Sequence, residues 1–145
     1  MTYRIIPDFD GRVAQWVSDS IKKNDYAWLQ ERLCSFAFVD NNKILGGLVF
    51  HNYEPEHSLW WTVYSNDKRW CNRRMLRAMF GLAFEHYKCR RINVLVDEDN
   101  EASLRFVQKL GFKIEGKLRR FRSADKDSYL LGMLKDECSW IKSAR

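Results

Sequence analysis

The sequence predicts an α/β fold: one mixed sheet carrying helices on both faces, with elements in the order β-αα-βββ-α-β-α-ββ. Three observations predict it. The run Ile92-Asn-Val-Leu-Val96 is largely apolar, as a strand covered on both faces must be. It leads into a short amphipathic helix that opens at Asn100 and stops at Gly111, with a basic strand beyond. Upstream, three runs rich in β-branched and aromatic residues follow one another with only turns between them. A sheet with flanking helices is the natural packing for such a string.

The elements are justified in order. Tyr3-Arg-Ile-Ile6 is a short strand ended by Pro7. Between Phe9 and Leu33, the residues Val13, Trp16, Val17, Ser20 and Ile21 recur at helical spacing. Asn24-Asp25 interrupts, and Tyr26 to Leu33 reads as a second helix. Ser35-Phe-Ala-Phe-Val39 is a strand, Asp40-Asn41-Asn42 a turn, and Lys43 to Phe50 the next strand. Pro55-Glu56 breaks it, and His57 to Tyr64 is another strand. From Trp70 to Tyr87 the residues Met75, Leu76, Met79, Phe80, Ala83 and Tyr87 form a broad apolar helical stripe. Arg91 to Val96 is the buried strand. In the helix from Asn100 to Leu110, Asn100 suits the N-cap, Glu101 the first turn, Lys109 the last and Gly111 the left-handed C′ position. Ala102, Phe106, Val107 and Leu110 can face the sheet. Lys113 to Leu118 and Ser128 to Leu134 form a hairpin, and Glu137 to Lys142 a last helical turn.

At 145 residues the chain reads as one domain, 1–145, with no linker or repeat. Its 46% hydrophobic content excludes a disordered chain. No apolar run approaches the ~20 residues of a membrane span, and the start lacks the apolar core of a signal peptide, so a cytoplasmic protein is expected. Cys34, Cys71, Cys89 and Cys138 form no Cys-x-x-Cys pair, which predicts free thiols. His51, His57 and His86 complete no zinc spacing, so no metal is expected. The net charge of +6 admits nucleic acid, an acidic protein or a phosphorylated cofactor as a partner.

The distribution of that charge is more informative than its sum. Lys68, Arg69, Arg73, Arg74 and Arg77 crowd the start of a helix. Cations there oppose the helix dipole by ~0.3–1 kcal/mol each. Asp67 or Asn66 is a reasonable cap and the only offset. An arrangement that costs stability suggests a use, and the first-turn N–H groups together with the arginines favour a bound anion. The alternative is a solvated basic face.

The strand, the Asn-opened helix, the Gly-Phe exit and the basic strand together resemble the second half of the acetyl-CoA fold of GNAT-type N-acetyltransferases. The order of elements is also that of the GNAT superfamily. The resemblance covers most of the chain and is densest from Trp70 to Trp140. The tail Gly132-Met-Leu-Lys-Asp-Glu-Cys-Ser-Trp140 resembles the branch that acetylates ribosomal-protein N-termini, and small phage-encoded GNAT-like proteins.

The resemblance implies acetyl-CoA as cofactor and direct transfer of its acetyl group to an amine, of a protein N-terminus or a lysine. It places the CoA pyrophosphate at the helix start. The family's usual loop there is Arg/Gln-x-x-Gly-x-Gly/Ala, whereas this chain reads Asp67-Lys-Arg-Trp-Cys-Asn-Arg-Arg74 with no glycine. Two registers are open, one putting Trp70 and Asn72 at the small positions and the other putting Asn72 and Arg74 there. The implied cofactor contacts are Val63, Tyr64, Lys68, Arg69, Trp70, Asn72, Arg73 and Arg74, with Asn100 and Ser103 toward the pantetheine arm. The carbonyl donor would be a backbone N–H in the Thr62 to Tyr64 region. The tyrosine that many members carry four residues before the Gly-Phe exit is Val107 here.

Asp97 is the leading candidate for a general base, since it ends the buried strand on the face of Leu95; a polar turn at Asp97-Glu98-Asp99 is the alternative. Glu54, Glu56 and His57 read as an exposed hairpin, and Glu115 as a partner for arginines. Trp60, Trp61 and Tyr64 suit the core or an acceptor groove. Two further functions stay open: a catalytically silent GNAT-shaped module that holds a protein partner, and nucleic-acid binding through 68–77 and Lys117-Leu-Arg-Arg-Phe-Arg122. No nucleic-acid motif accompanies that charge, which ranks the last reading lowest. A homodimer is compatible with the sequence, which does not fix the oligomeric state.

Overall fold

A computed structural model describes residues 3–8, 11–20 and 32–141. Seven strands form one sheet: β1 (Tyr3–Pro7), β2 (Arg32–Asp40), β3 (Lys43–Glu54), β4 (Ser58–Ser65), β5 (Arg91–Asp97), β6 (Lys113–Ser123) and β7 (Lys126–Leu134). Their order across the sheet is β1-β2-β3-β4-β5-β7-β6. Among the described residues, three α-helices flank it: α1 (Arg12–Ser20), α2 (Arg73–Gly81) and α3 (Glu101–Leu110). This is the mixed α/β architecture that the order of elements predicts.

Strand alternation sorts side chains to two faces. On one, Leu48, Phe50, Leu59, Trp61, Ile92, Val94, Val96, Leu131 and Met133 pack against α2 and α3 in the main core. On the other, α1 lays Ala14, Val17, Val13 and Trp16 over Val49 and Tyr64. Gly47 permits that close approach, since a Cβ there would lie 2.7 Å from Val17 Cγ2 and 3.0 Å from Val13 Cγ1.

Four segments differ from the sequence reading. Arg32 and Leu33 begin β2 and do not end a helix; residues 26–31 of the expected second helix lie outside the described residues. The expected helix from Trp70 to Tyr87 is divided into a 3₁₀ turn (Lys68–Trp70), α2 and a π-turn (Leu82–His86), because Asn72 caps a fresh helix after the tight turn. β6 runs on past Leu118 to Ser123, with an irregularity in its pairing to β7. Ala102 is exposed, leaving Val107 and Leu110 as the buried residues of α3. Its caps are as expected: Asn100 accepts from the Ser103 N–H at 3.2 Å, and Gly111 is left-handed with φ 119°.

Among the described residues β4 and β5 are the only parallel neighbours, and they pair at just three positions, Ser58–Arg91, Leu59–Ile92 and Trp60–Asn93. Beyond Trp60 the two strands part. From there β4 bonds only to β3 and β5 only to β7. The sheet therefore carries a wedge between Trp61–Ser65 and Val94–Asp97. Asn93 sits at its apex, donating from Nδ2 to the Leu59 carbonyl at 3.2 Å and accepting from Arg91 Nε at 2.7 Å.

Gly47→Ala should lower stability by ~1–3 kcal/mol, because α1 must lift to admit the methyl group. Urea denaturation measures this; an unchanged midpoint would contradict the close packing of α1.

Candidate active site

The site is built around the wedge. Val63 and Tyr64 lie on β4 in the stretch that has lost β5 as a neighbour. Val63 packs toward the main core, and Tyr64 meets Trp16 edge-on at 5.2 Å.

The turn above β4 is organised by carboxylates. Asp67 accepts from the Arg69 backbone N–H at 3.0 Å and pairs with the Arg69 guanidinium at 2.8 Å and Lys43 at 3.2 Å. These hydrogen bonds, Arg69 foremost, hold the Asp67 carboxyl well below the usual carboxylate range. Arg69 also reaches buried Asp40 at 3.2 Å. Arg69, expected at the phosphates, is thus engaged by two acids. Trp70 turns inward and is 5% exposed, packed against Phe38 at 5.1 Å and Phe106 at 5.8 Å. The indole is a core residue and does not stand over the start of α2.

Asn72 is the N-cap of α2, accepting from the Met75 N–H at 3.0 Å through its side chain and from Leu76 through its carbonyl. The N–H groups of Arg73 and Arg74, in the first turn, have no carbonyl to reach within the helix. Lys68, Arg73 and Arg74 are exposed around them. The two arginines diverge: the Arg73 guanidinium lies 5.9 Å over the Trp140 ring, while Arg74 lines a cleft with Arg4, Pro7 and Ala78 beside β1. Across the wedge, the α3 cap uses the Asn100 side-chain oxygen and the Ser103 backbone, leaving the Asn100 amide nitrogen and the Ser103 hydroxyl outside the cap.

These residues fit a diphosphate-bearing cofactor. A helix start with open N–H groups and three exposed cations suits the anion, and the wedge below offers strand edges to an amide-containing arm. Of the positions that the two registers would make small, Trp70 faces the core, Asn72 acts as a cap and Arg74 is exposed.

On the α1 face of the wedge a second set of polar groups gathers. Asp97 ends β5 and accepts from Ser128 Oγ at 3.1 Å and Arg122 Nε at 3.4 Å. On β3, His51 is 8% exposed, with Nδ1 2.6 Å from Asn52 Oδ1 and Nε2 3.0 Å from Thr62 Oγ1. With Asn52 accepting, Nδ1 carries the proton and Nε2 accepts from the Thr62 hydroxyl. Burial, partly opposed by the Asn52 hydrogen bond, pushes the imidazole down to about 4; the nearby Arg122 charge lowers it further. The sequence reading passed over His51 and Thr62. The signal available was their placement, since both alternate onto the α1 face next to the parting strands.

Burial pushes the Cys89 thiol up to about 11 and raises that of Cys71 as well. Val107 is buried, so α3 presents no hydroxyl at that position. Among the described residues no three His, Cys, Asp or Glu side chains gather as a metal site.

The depressed His51 value has a consequence for stability. The unfolded chain binds a proton at His51 below about 6.5, whereas the folded chain does so only near 4. Between those values the unfolded state holds more protons, so stability falls as pH drops from 6.5 to 4, by up to ~1.4 kcal/mol per pH unit from this group. Denaturation midpoints across that window should flatten in His51→Gln; an unchanged slope would show that His51 is not the buried neutral group described.

Over residues 3–113 the chain matches the acetyltransferase (GNAT) domain. It is similar to the spermine/spermidine N(1)-acetyltransferase of Bacillus subtilis (strain 168), with 29% identity over 77 residues, 48% of this chain and 51% of that protein. The chain spans about half the length of the curated relatives it matches. A GNAT-family acetyltransferase from Bacillus anthracis has the same fold with a TM-score of 0.60 at 24% identity, over 71% of this chain and 67% of that one. A dodecameric spermidine N-acetyltransferase from Vibrio cholerae aligns with a TM-score of 0.74 at 12% identity, over 92% and 94%. At these identities the solved structures bear on fold alone. With the family's match running from β1 to the first residue of β6, and the split between β4 and β5 beside a basic helix start, this chain belongs to the acetyltransferase (GNAT) domain family.

Proposed function

We propose that the protein is an acetyl-CoA-dependent N-acetyltransferase whose acceptor is the amine of a protein, an N-terminus before a lysine. The observation that carries the reading is the parting of β4 and β5 after three pairs, directly below the open N–H groups of α2. Bound acetyl-CoA supplies an activated acyl group: the amine nitrogen bonds to the acetyl carbon, the carbon–sulfur bond breaks with its electron pair leaving on sulfur, and the amine proton passes through water to that thiolate.

The chain's own groups hold and orient. Lys68, Arg73, Arg74 and the α2 N–H groups would take the diphosphate, with Asn100 and Ser103 on the opposite wall. The backbone N–H of Val63, on the side of β4 to which the Leu59 carbonyl also turns, lies where β4 has no β5 partner, the position from which an amide can stabilise negative charge on a carbonyl oxygen; that of Tyr64 turns to β3. Asp97, which accepts from Arg122 and Ser128, would take a proton from an amine that needs little help. An α-amino group, with an ordinary pKa of roughly 7.7–8.0, is such an amine; a lysine near 10.4 is not.

Charge pairing also supports a protein acceptor over a polyamine. A polycation needs carboxylates, and those at and just beyond the end of β5 already have basic partners: Asp97 with Arg122, Glu98 and Asp127 with Lys117, Asp99 with Lys126. The same pairs neutralise part of the basic β6 strand and weigh against nucleic acid. The tail's likeness to the ribosomal-protein branch points the same way.

Calorimetric titration with acetyl-CoA, followed by mass spectrometry of a peptide pool, tests this reading. Arg73→Ala combined with Arg74→Ala should weaken acetyl-CoA binding about tenfold or more. Unchanged affinity would remove the diphosphate from the start of α2, and binding without acetylation of any amine would remove the transferase reading.

A further inference from the structure

Arg122 is a cation held where the proposed transfer would place the acceptor. It belongs to the far end of β6, in the segment that runs irregularly between Leu118 and Ser123. It nevertheless reaches Asp97 on β5, and its charge is felt at His51 on β3, on the far side of the wedge. Its side chain is 23% exposed. Asp97 takes only its Nε, and at 3.4 Å; among the described residues neither Nη group has a partner. A guanidinium offers five donors in a planar fork that matches a carboxylate two bonds at a time. Most of that fork is unspent on a half-buried side chain.

The opposite wall has the complementary character. His51 Nε2 receives the Thr62 hydroxyl, which leaves the Thr62 oxygen with lone pairs for a donor. Thr62 alternates with Trp61 and Val63, so it lies on the same face of the sheet as Asp97 and borders the wedge where β5 has left. The wedge mouth thus presents hydrogen-bond acceptors on one wall and a cationic fork on the other. An amine donates and a carboxylate accepts; a molecule with both, a few bonds apart, satisfies the two walls together.

We propose that Arg122 selects acceptors whose reactive amine is flanked by a carboxylate, as at a peptide N-terminus beginning with an acidic residue, and rejects polyamines. The inference rests on the N-acetyltransferase reading and deepens it. A polyamine would set a second cation against Arg122 and leave both Nη groups without acceptors. The free α-carboxylate of an amino acid presents the same chemistry as an acidic first side chain, and the two sources are separable.

The test compares four acceptors and spermidine with the full chain: aspartyl-trialanine amide against asparaginyl-trialanine amide, and glycine against glycinamide. The wild type should acetylate the aspartyl peptide with kcat/KM at least about tenfold above its asparaginyl isostere, the worth of one charge-assisted pair. Arg122→Gln should bring that ratio close to one, whatever its effect through Asp97 on the rates of both peptides. A glycine-to-glycinamide ratio as large as the peptide ratio would assign the recognition to the α-carboxylate. Equal rates on the two peptides, an equal loss on both in Arg122→Gln, or spermidine as the preferred acceptor would each overturn the proposal.

A second readout does not depend on transfer. N-acetyl-aspartyl-trialanine amide should raise the melting temperature of the wild type and not that of Arg122→Gln, whereas its asparaginyl counterpart should raise neither. If acetyl-CoA binds and no amine is acetylated, the transferase reading fails by itself, and the melting shift still decides whether Arg122 recognises the carboxylate.

Discussion

The separation of β4 from β5 is the constraint on which the rest depends. Two adjacent parallel strands would ordinarily continue to pair, since a backbone group left without a partner in a buried position costs ~1–3 kcal/mol. Here pairing stops after Trp60 and Asn93. Asn93 fixes the apex by lending a side-chain amide to the Leu59 carbonyl, and Arg91 in turn orients Asn93. Each strand keeps its outer neighbour, β3 or β7, so the sheet holds together while the middle stays open. A fold that leaves strand edges unsatisfied at its centre is built to receive something that satisfies them.

The turn before α2, where the proposed reading puts the phosphates, is built without glycine. A glycine loop turns backbone N–H groups outward; here the 3₁₀ turn folds its own N–H groups back, Trp70 to the Asp67 carbonyl and Cys71 to that of Lys68. The tight turn lets Trp70 dive into the core between Phe38 and Phe106 and lets Asn72 start α2 afresh. In the proposed reading, anion recognition falls to the first turn of α2 and the cations around it. The Arg69–Asp67–Asp40 cluster secures the turn, so one of the crowded arginines is already engaged by two acids.

Local signals carried much of this to the reader of the sequence. The apolar run at Ile92, the Asn100 cap and the Gly111 stop each report a structure formed by near neighbours, and each is found where expected. Strand existence was legible, but the wedge was not, because where two strands cease to pair depends on Asn93 and on residues thirty or more positions away. The division of the Trp70 helix was hidden for a related reason: its apolar stripe is continuous, and only the Asn72 cap distinguishes two helical starts. His51 escaped notice because a lone histidine in a strand gains meaning only from the Thr62 and Asn52 groups that fold brings to it. Asp97 was found by its position at the end of β5, whereas its pairing with Arg122 required the irregular end of β6 to fold back over the face.

The most direct measurement of the central claim is amide hydrogen exchange with and without acetyl-CoA. Ligand seated in the wedge should slow exchange at residues 62–64, 73–74 and 100–103 together, leaving β1, β2 and the β6–β7 hairpin tip at their free rates. Protection spread evenly over the chain, or confined to the exposed basic surface with the β4 segment unchanged, would show that the parted strands are not where the cofactor lies.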